Sequence, residues 1–341
     1  MSTTTLRLGI GFTGENLSID RIVELGVAAE SAGLDSVWHV ENQREPWVPL
    51  SVIASRTNQI RIGTGLALWA RSPQLAELAA VNLDELSRGR FLFGIGTAPR
   101  EWNENWHGIS YDNPVQRMRE YVEIIRLMWT AHSGNTIGYD GEKFTIRDYH
   151  RAMKPYRERI PVYLGAVQRR MCALCGEIAD GVLLNVLTTP RYVREYALGY
   201  VSDGLMRSGR TRQDIEVGTV VIGAVDGDAA QAQRWARHQL AYYAVIPYFD
   251  VILNLHGFQR EAAQVREAAA RGDADAMIAA VTDEMVDTLA VAGTPDACRA
   301  RLAEFAEAGV QLAVFYPPAF RLGSDEIEAN VNAMLEAFGG T

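Results

Sequence analysis

A (β/α)8 barrel with insertions after strands four and seven is the fold that the sequence predicts. Three observations point to it: eight short apolar runs alternate with segments of helical periodicity, capping residues bracket the helices, and two stretches break the rhythm. Leu6 to Phe12 is the first run. Ser18 offers an N-cap to a helix carrying Ile22, Leu25 and Ala29 on one face, and Gly33 closes it. Ser36 to Val40 is the second strand and Trp47 to Arg56 the second helix. Ile60 to Gly65 is the third strand, and Pro73 opens a helix that stops at Gly89. Arg90 to Ile95 and Val115 to Trp129 form the fourth pair. Residues 133 to 156, with SGNTIGYDGEKFT, read as an inserted loop or hairpin. Ile160 to Leu164 with Arg169 to Ile178, and Gly181 to Leu184 with Pro190 to Ser208, are the fifth and sixth pairs. Glu216 to Val225 is strand seven. A helical region follows it, interrupted around 247 to 257 and ending near Val291. Thr294 to Ala308 is a helix, Gln311 to Phe315 strand eight, and Asp325 to Phe338 the last helix. The competing architecture, a doubly wound open sheet, wants a G-x-G-x-x-G turn with an acidic residue roughly 20 positions on. GIGFTGEN is only a loose version, and that acidic residue is lacking.

With 341 residues, 48% of them hydrophobic, the chain can bury a full core. It is read as one barrel domain over 1–341, with insertion segments at about 133–156 and 241–282. A net charge of -9 argues against nucleic acid as the main partner, since phosphate binding needs a basic surface. No run approaches a membrane span, and MSTTTLRLGI lacks the apolar centre of a signal peptide. Three cysteines give no disulfide framework, which suits a reducing cytoplasm.

Barrel chemistry sits at the C-terminal ends of the strands. That rule selects the segments after strands one to six, beginning at Gly11, Glu41, Gly65, Gly96, Gly165 and Asn185. Glycine-containing turns at GIGTAPREWNE and LGAVQRRM would let backbone N–H groups approach a phosphate, with Arg169 and Arg170 adding charge; equally, those glycines only permit tight turns. His39, Glu41 and Asn42 cluster three polar groups at the end of an apolar strand, as an active-site edge or as a solvated loop. His107 with Trp102 and Trp106 reads as a lid or as an aromatic surface loop. Cys172 and Cys175 form a C-x-x-C without a second pair, best explained as small buried residues. The six histidines show no zinc spacing, and Asp226-Gly-Asp228 is a turn rather than a calcium loop, so no metal is expected. The aromatics of YYAVIPYFDVILNLHGF either cap the pocket or pack in the core or a dimer contact.

The runs LDELSRGRFLFGIG, RIPVYLGA, GEIADGVLLN, GTPDACRARLAEFAEAGV and AESAGLDSVW resemble the luciferase-like monooxygenase superfamily, in order and across nearly the whole chain. Around RIGTGLALWARSP, IPVYLGA and GEIADGVLLN the sequence is most similar to the branch that uses the deazaflavin coenzyme F420, particularly methylenetetrahydromethanopterin reductase. The resemblance implies an F420-dependent oxidoreductase, usually dimeric, that passes a hydride between C5 of the deazaflavin and a small organic substrate (C=C, C=N or carbonyl). It implies a non-prolyl cis peptide at Gly65-Leu66 forming a bulge behind the ring. Cofactor contacts are implied at Gly96 and Thr97 and from Gly165 through Ala166, Val167 and Gln168 to Arg169. Many relatives carry Asp-His where this chain has Glu41-Asn42, so another group must replace the histidine as proton donor. Glu41, or His39 if its side chain points to the mouth, are the candidates. An FMN-dependent monooxygenase on the same fold is the alternative, and a barrel without catalytic activity the more distant one.

Overall fold

A computed structural model describes residues 6–13 and 16–339 of the chain. Gly14 and Glu15, part of the GIGFTGEN turn, lie outside the described residues, as do Met1 to Thr5 and the last two positions.

Eight parallel strands close into a barrel: β1 (Arg7–Phe12), β2 (Ser36–His39), β3 (Arg61–Thr64), β4 (Phe91–Gly96), β5 (Val162–Ala166), β6 (Gly181–Leu184), β7 (Glu216–Val225) and β8 (Leu312–Tyr316). Each strand pairs with the next, and β8 pairs back onto β1, with Gly9 opposite Val314. Helices cover the outside. Their starts are the ones the capping residues predict: Ser18 accepts the Arg21 N–H for the helix Ile19–Ser31, and Ser72 that of Leu75 for Pro73–Leu86.

Inside the barrel, large rings lie over glycines of neighbouring strands. A Cβ on Gly63 would strike Trp38, on Gly181 Tyr163, and on Gly11 the ring of Tyr316. This alternation of large and absent side chains fills the narrow barrel. At its N-terminal end the interior holds charges: Arg7 pairs with Glu216 at 2.6 Å, and Arg61 with Asp35 and, at 3.4 Å, with Glu216. Burial disfavours the Arg61 charge, but Glu216 and Asp35 outweigh it and raise its pKa.

After β4 come a short helix, Arg100–Asn105, which the sequence did not signal, and the long helix Pro114–Trp129. The insertion that follows is an antiparallel hairpin, Ile137–Asp140 with Thr145–Tyr149. Its turn is held by the buried Glu120 carboxylate, which accepts the N–H groups of Glu142, Lys143 and Phe144 at 2.8–3.1 Å. After β7 run the helices Ala229–Ala244, Asp250–Leu255, Gln259–Ala270, Ala274–Ala279 and Asp283–Leu289. The helical region ends at Leu289, close to the expected end near Val291. What the sequence did not signal is the strand that follows at once, Ala290–Gly293, paired along Ile222 to Val225. β7 has 10 residues and outruns its neighbours, and this strand pairs with its projecting end. No helix among the described residues is long and apolar enough to cross a membrane.

Candidate active site at the barrel mouth

The C-terminal ends of the strands open into a cavity whose empty space, counted together with its open solvent-facing mouth, is about 1010 Å³. Its floor is the segment Gly65–Trp69, which leaves β3 and folds across the mouth. The Gly65-Leu66 peptide is cis. Nearly every polar group of this segment is engaged. The Gly65 N–H donates to the His39 carbonyl at 2.8 Å, and the Tyr316 hydroxyl donates to the Gly65 carbonyl. The Glu41 N–H donates to the Leu66 carbonyl at 3.0 Å, and the Trp69 N–H to that of Gly96 at 3.2 Å. Residues 67 and 68 form a two-residue strand along β4.

The Leu66 side chain explains two glycines at once. Gly94 lies against the Thr64 carbonyl oxygen, whereas a Cβ on Gly96 or on Gly165 would run into the Leu66 side chain, at 2.8 Å and closer still. Gly96 and Gly165 seat Leu66 as a flat apolar wall, so neither a tight turn nor a phosphate cradle is their first reason. Tyr316 completes the floor: it reaches from β8 across Gly11 to Gly65, and burial pushes its phenol up.

Glu41 and Asn42 line the cavity, and His39 does not. Both Glu41 oxygens are committed, one accepting the Leu68 N–H at 2.8 Å and the other the Arg71 Nε–H at 2.8 Å. Glu41 therefore helps to hold the floor in place. His39 is fully buried beneath the surface of β2. Its Nδ1 bonds the Val40 carbonyl at 2.8 Å while Nε2 has no partner, and burial pushes its pKa down. The side chain does not point to the mouth, because strand alternation gives the interior to Trp38 and turns His39 away. The condition on its role as donor is not met.

Of the nine expected cofactor positions, Gly65, Leu66, Gly96, Thr97 and Gly165 line the cavity. Ala166 and Val167 are fully buried outside its lining. Gln168 is exposed and donates to the Tyr248 carbonyl at 3.0 Å. The Arg169 side chain lines a separate groove with Arg119, Arg170 and Glu177, because it begins the helix Arg169–Ile178, packed beside Pro114–Trp129. Those four positions do not face the cavity.

One prominent lining residue, Tyr316, escapes the sequence reading. Tyr316 ends strand eight, whose mouth was left off the short list. Asn185, at the start of the strand-six segment, accepts the Val186 N–H at 2.8 Å through Oδ1, and Asn42 likewise accepts the Gln43 N–H. Among the described residues neither NH₂ group has a protein partner, so both residues bring amide donors to the cavity lining. Tyr242, Tyr243, Tyr248 and Phe249 form a roof, with Tyr243 and Phe249 edge to face at 5.8 Å, and Trp102 stands at the rim stacked on Trp106. The pocket-capping alternative for YYAVIPYF is the one realised. His107 is exposed and outside the lining. Cys172 and Cys175 are buried and free, the Cys172 thiol pushed up to about 12 by burial. Among the described residues, no three His, Cys, Asp or Glu converge as a metal site.

A flat apolar wall, neutral amide donors at its edge and an open mouth suit a tricyclic ring with carbonyl groups. Residues 3–312 match the luciferase-like monooxygenase family. The chain is 33% identical over 298 residues to 5,10-methylenetetrahydromethanopterin reductase of Archaeoglobus fulgidus, covering 85% of this chain and 87% of the relative. An uncharacterized protein of Mycobacterium tuberculosis is 31% identical over 326 residues, covering 93% and 94%. The coenzyme F420-dependent tetrahydromethanopterin reductase of Methanopyrus kandleri superposes with a TM-score of 0.85 at 24% identity, over 97% of this chain and 98% of that one. A closed parallel barrel whose site is built on the segment after β3, matched over this length, makes the chain a member of the luciferase-like monooxygenase family.

Proposed function

We propose that the protein is an F420-dependent oxidoreductase acting on a small organic substrate with a C=C, C=N or carbonyl bond. The observation that carries this reading is the Leu66 wall, seated on Gly96 and Gly165 and with its segment pinned by Tyr316 and Glu41. The kinship with a methylenetetrahydromethanopterin reductase at 33% identity supports it. When bound, F420 supplies a carbon centre that gives or takes a hydride; the protein supplies position and electrostatics. Leu66 and the Gly65 backbone would hold one face of the ring. Asn42, Thr97 and Asn185 would hydrogen-bond its edge or the substrate. Glu41 keeps the floor rigid through Leu68 and Arg71, and Tyr316 through the Gly65 carbonyl. With both Glu41 oxygens engaged, the proton that a reduced carbonyl or imine takes up comes from solvent through the open mouth.

Titrating the purified protein separately with F420 and FMN tests this. Saturable F420 binding is expected. Tight FMN binding without F420 binding would favour the flavin monooxygenase that the family name suggests. A homodimer is part of the proposal: the neighbouring helices Trp47–Arg56 and Pro73–Leu86 leave Val48 and Leu75 each 54% exposed, and light scattering should report twice the chain mass.

A further inference from the structure

We propose that the substrate of this cavity is an uncharged, planar, largely apolar molecule presenting a carbonyl oxygen. The inference rests on the reading of the mouth as the active site and names the substrate class that the site takes. No Lys, Arg or His lines the cavity among the described residues. A carboxylate or phosphate brought inside would lose its hydration with no counter-charge to replace it. Among the described lining residues the single acidic group is Glu41, and it is paired with Arg71 at 2.8 Å, which leaves it little attraction for a cation. The cavity does offer two amide NH₂ groups, from Asn42 and Asn185, whose own oxygens are occupied by backbone N–H groups. It also offers ring faces and edges from Trp102, Tyr242, Tyr243 and Phe249. Donors without charge select a neutral acceptor, and aromatic walls select flat apolar bodies. The groove holding Arg119, Arg169 and Arg170 is a separate depression and leaves this balance unchanged.

Three molecules with one naphthalene body test the inference by calorimetry on the full-length protein, with and without F420: acetylnaphthalene, naphthoate and naphthylmethylammonium. The neutral ketone should bind at least about tenfold more tightly than either ion. Trp102→Ala and Tyr243→Ala should each weaken it several-fold with the melting temperature retained. Asn185→Lys should move the preference toward naphthoate. Equal or tighter binding of naphthoate or of the ammonium overturns the inference, and so does failure of all three to bind at millimolar concentration. F420 binding is read in its own titration. Selective ketone binding without F420 binding would sink the cofactor reading and leave the substrate class standing, whereas F420 binding with preferred naphthoate would do the reverse.

Discussion

The two ends of the barrel interior treat polarity in opposite ways. At the N-terminal end Arg7, Asp35, Arg61 and Glu216 bring full charges into the interior and pair them with one another. At the C-terminal end the described residues bring no cation to the cavity lining, tie up the Glu41 carboxylate, and leave two neutral amide donors without partners among themselves. Satisfied charge at one end is a stability device; unsatisfied neutral donors at the other are binding capacity.

Breaking the closed end should cost the most stability and the least function. Arg61→Ala leaves Asp35 and Glu216 facing each other with diminished compensation, and urea unfolding should lose about 3 kcal/mol while ligand affinity of the folded protein is unchanged. Gly165→Ala should cost about 2 kcal/mol by pushing against Leu66, and unlike Arg61→Ala it should also weaken F420 binding. Tyr316→Phe removes one hydrogen bond to the floor. The same unfolding assay should register about 1 kcal/mol, with a several-fold rise in the F420 dissociation constant.

The smallest effect concerns pH. Burial lowers the His39 pKa below its ordinary value near 6.5, so in mildly acidic solution the unfolded chain binds a proton that the folded protein refuses. Stability from this group is complete above about pH 6.5 and is lost as the pH falls below it. His39→Leu should flatten the stability profile between about pH 7 and 5 without touching the ligand titration. An unchanged slope would mean that His39 titrates freely.

The barrel was legible because its signals are local: a cap at Ser18, a proline opening the helix at Pro73, glycines at helix ends, apolar runs of strand length. The strand Ala290–Gly293 was not, since its reason is the projecting end of β7, some 65 residues earlier in the chain. At the site, the resemblance placed the Gly65-Leu66 peptide, and the barrel rule placed Glu41, Asn42 and Gly96. Neither could show that Gly96 and Gly165 share one purpose, because the side chain they seat lies on another strand's loop. His39 and Arg169 misled for the same reason: proximity in sequence to the mouth does not say which way a side chain turns.

The most direct test is a F420 titration of wild type, Arg61→Ala and Gly165→Ala, followed by the cofactor's own fluorescence. The account predicts saturable binding by wild type, the same affinity for Arg61→Ala despite its lower stability, and at least about a tenfold loss for Gly165→Ala. Equal affinity of Gly165→Ala and wild type, or a loss confined to Arg61→Ala, would contradict the claim that Leu66 at the mouth is the wall the cofactor meets.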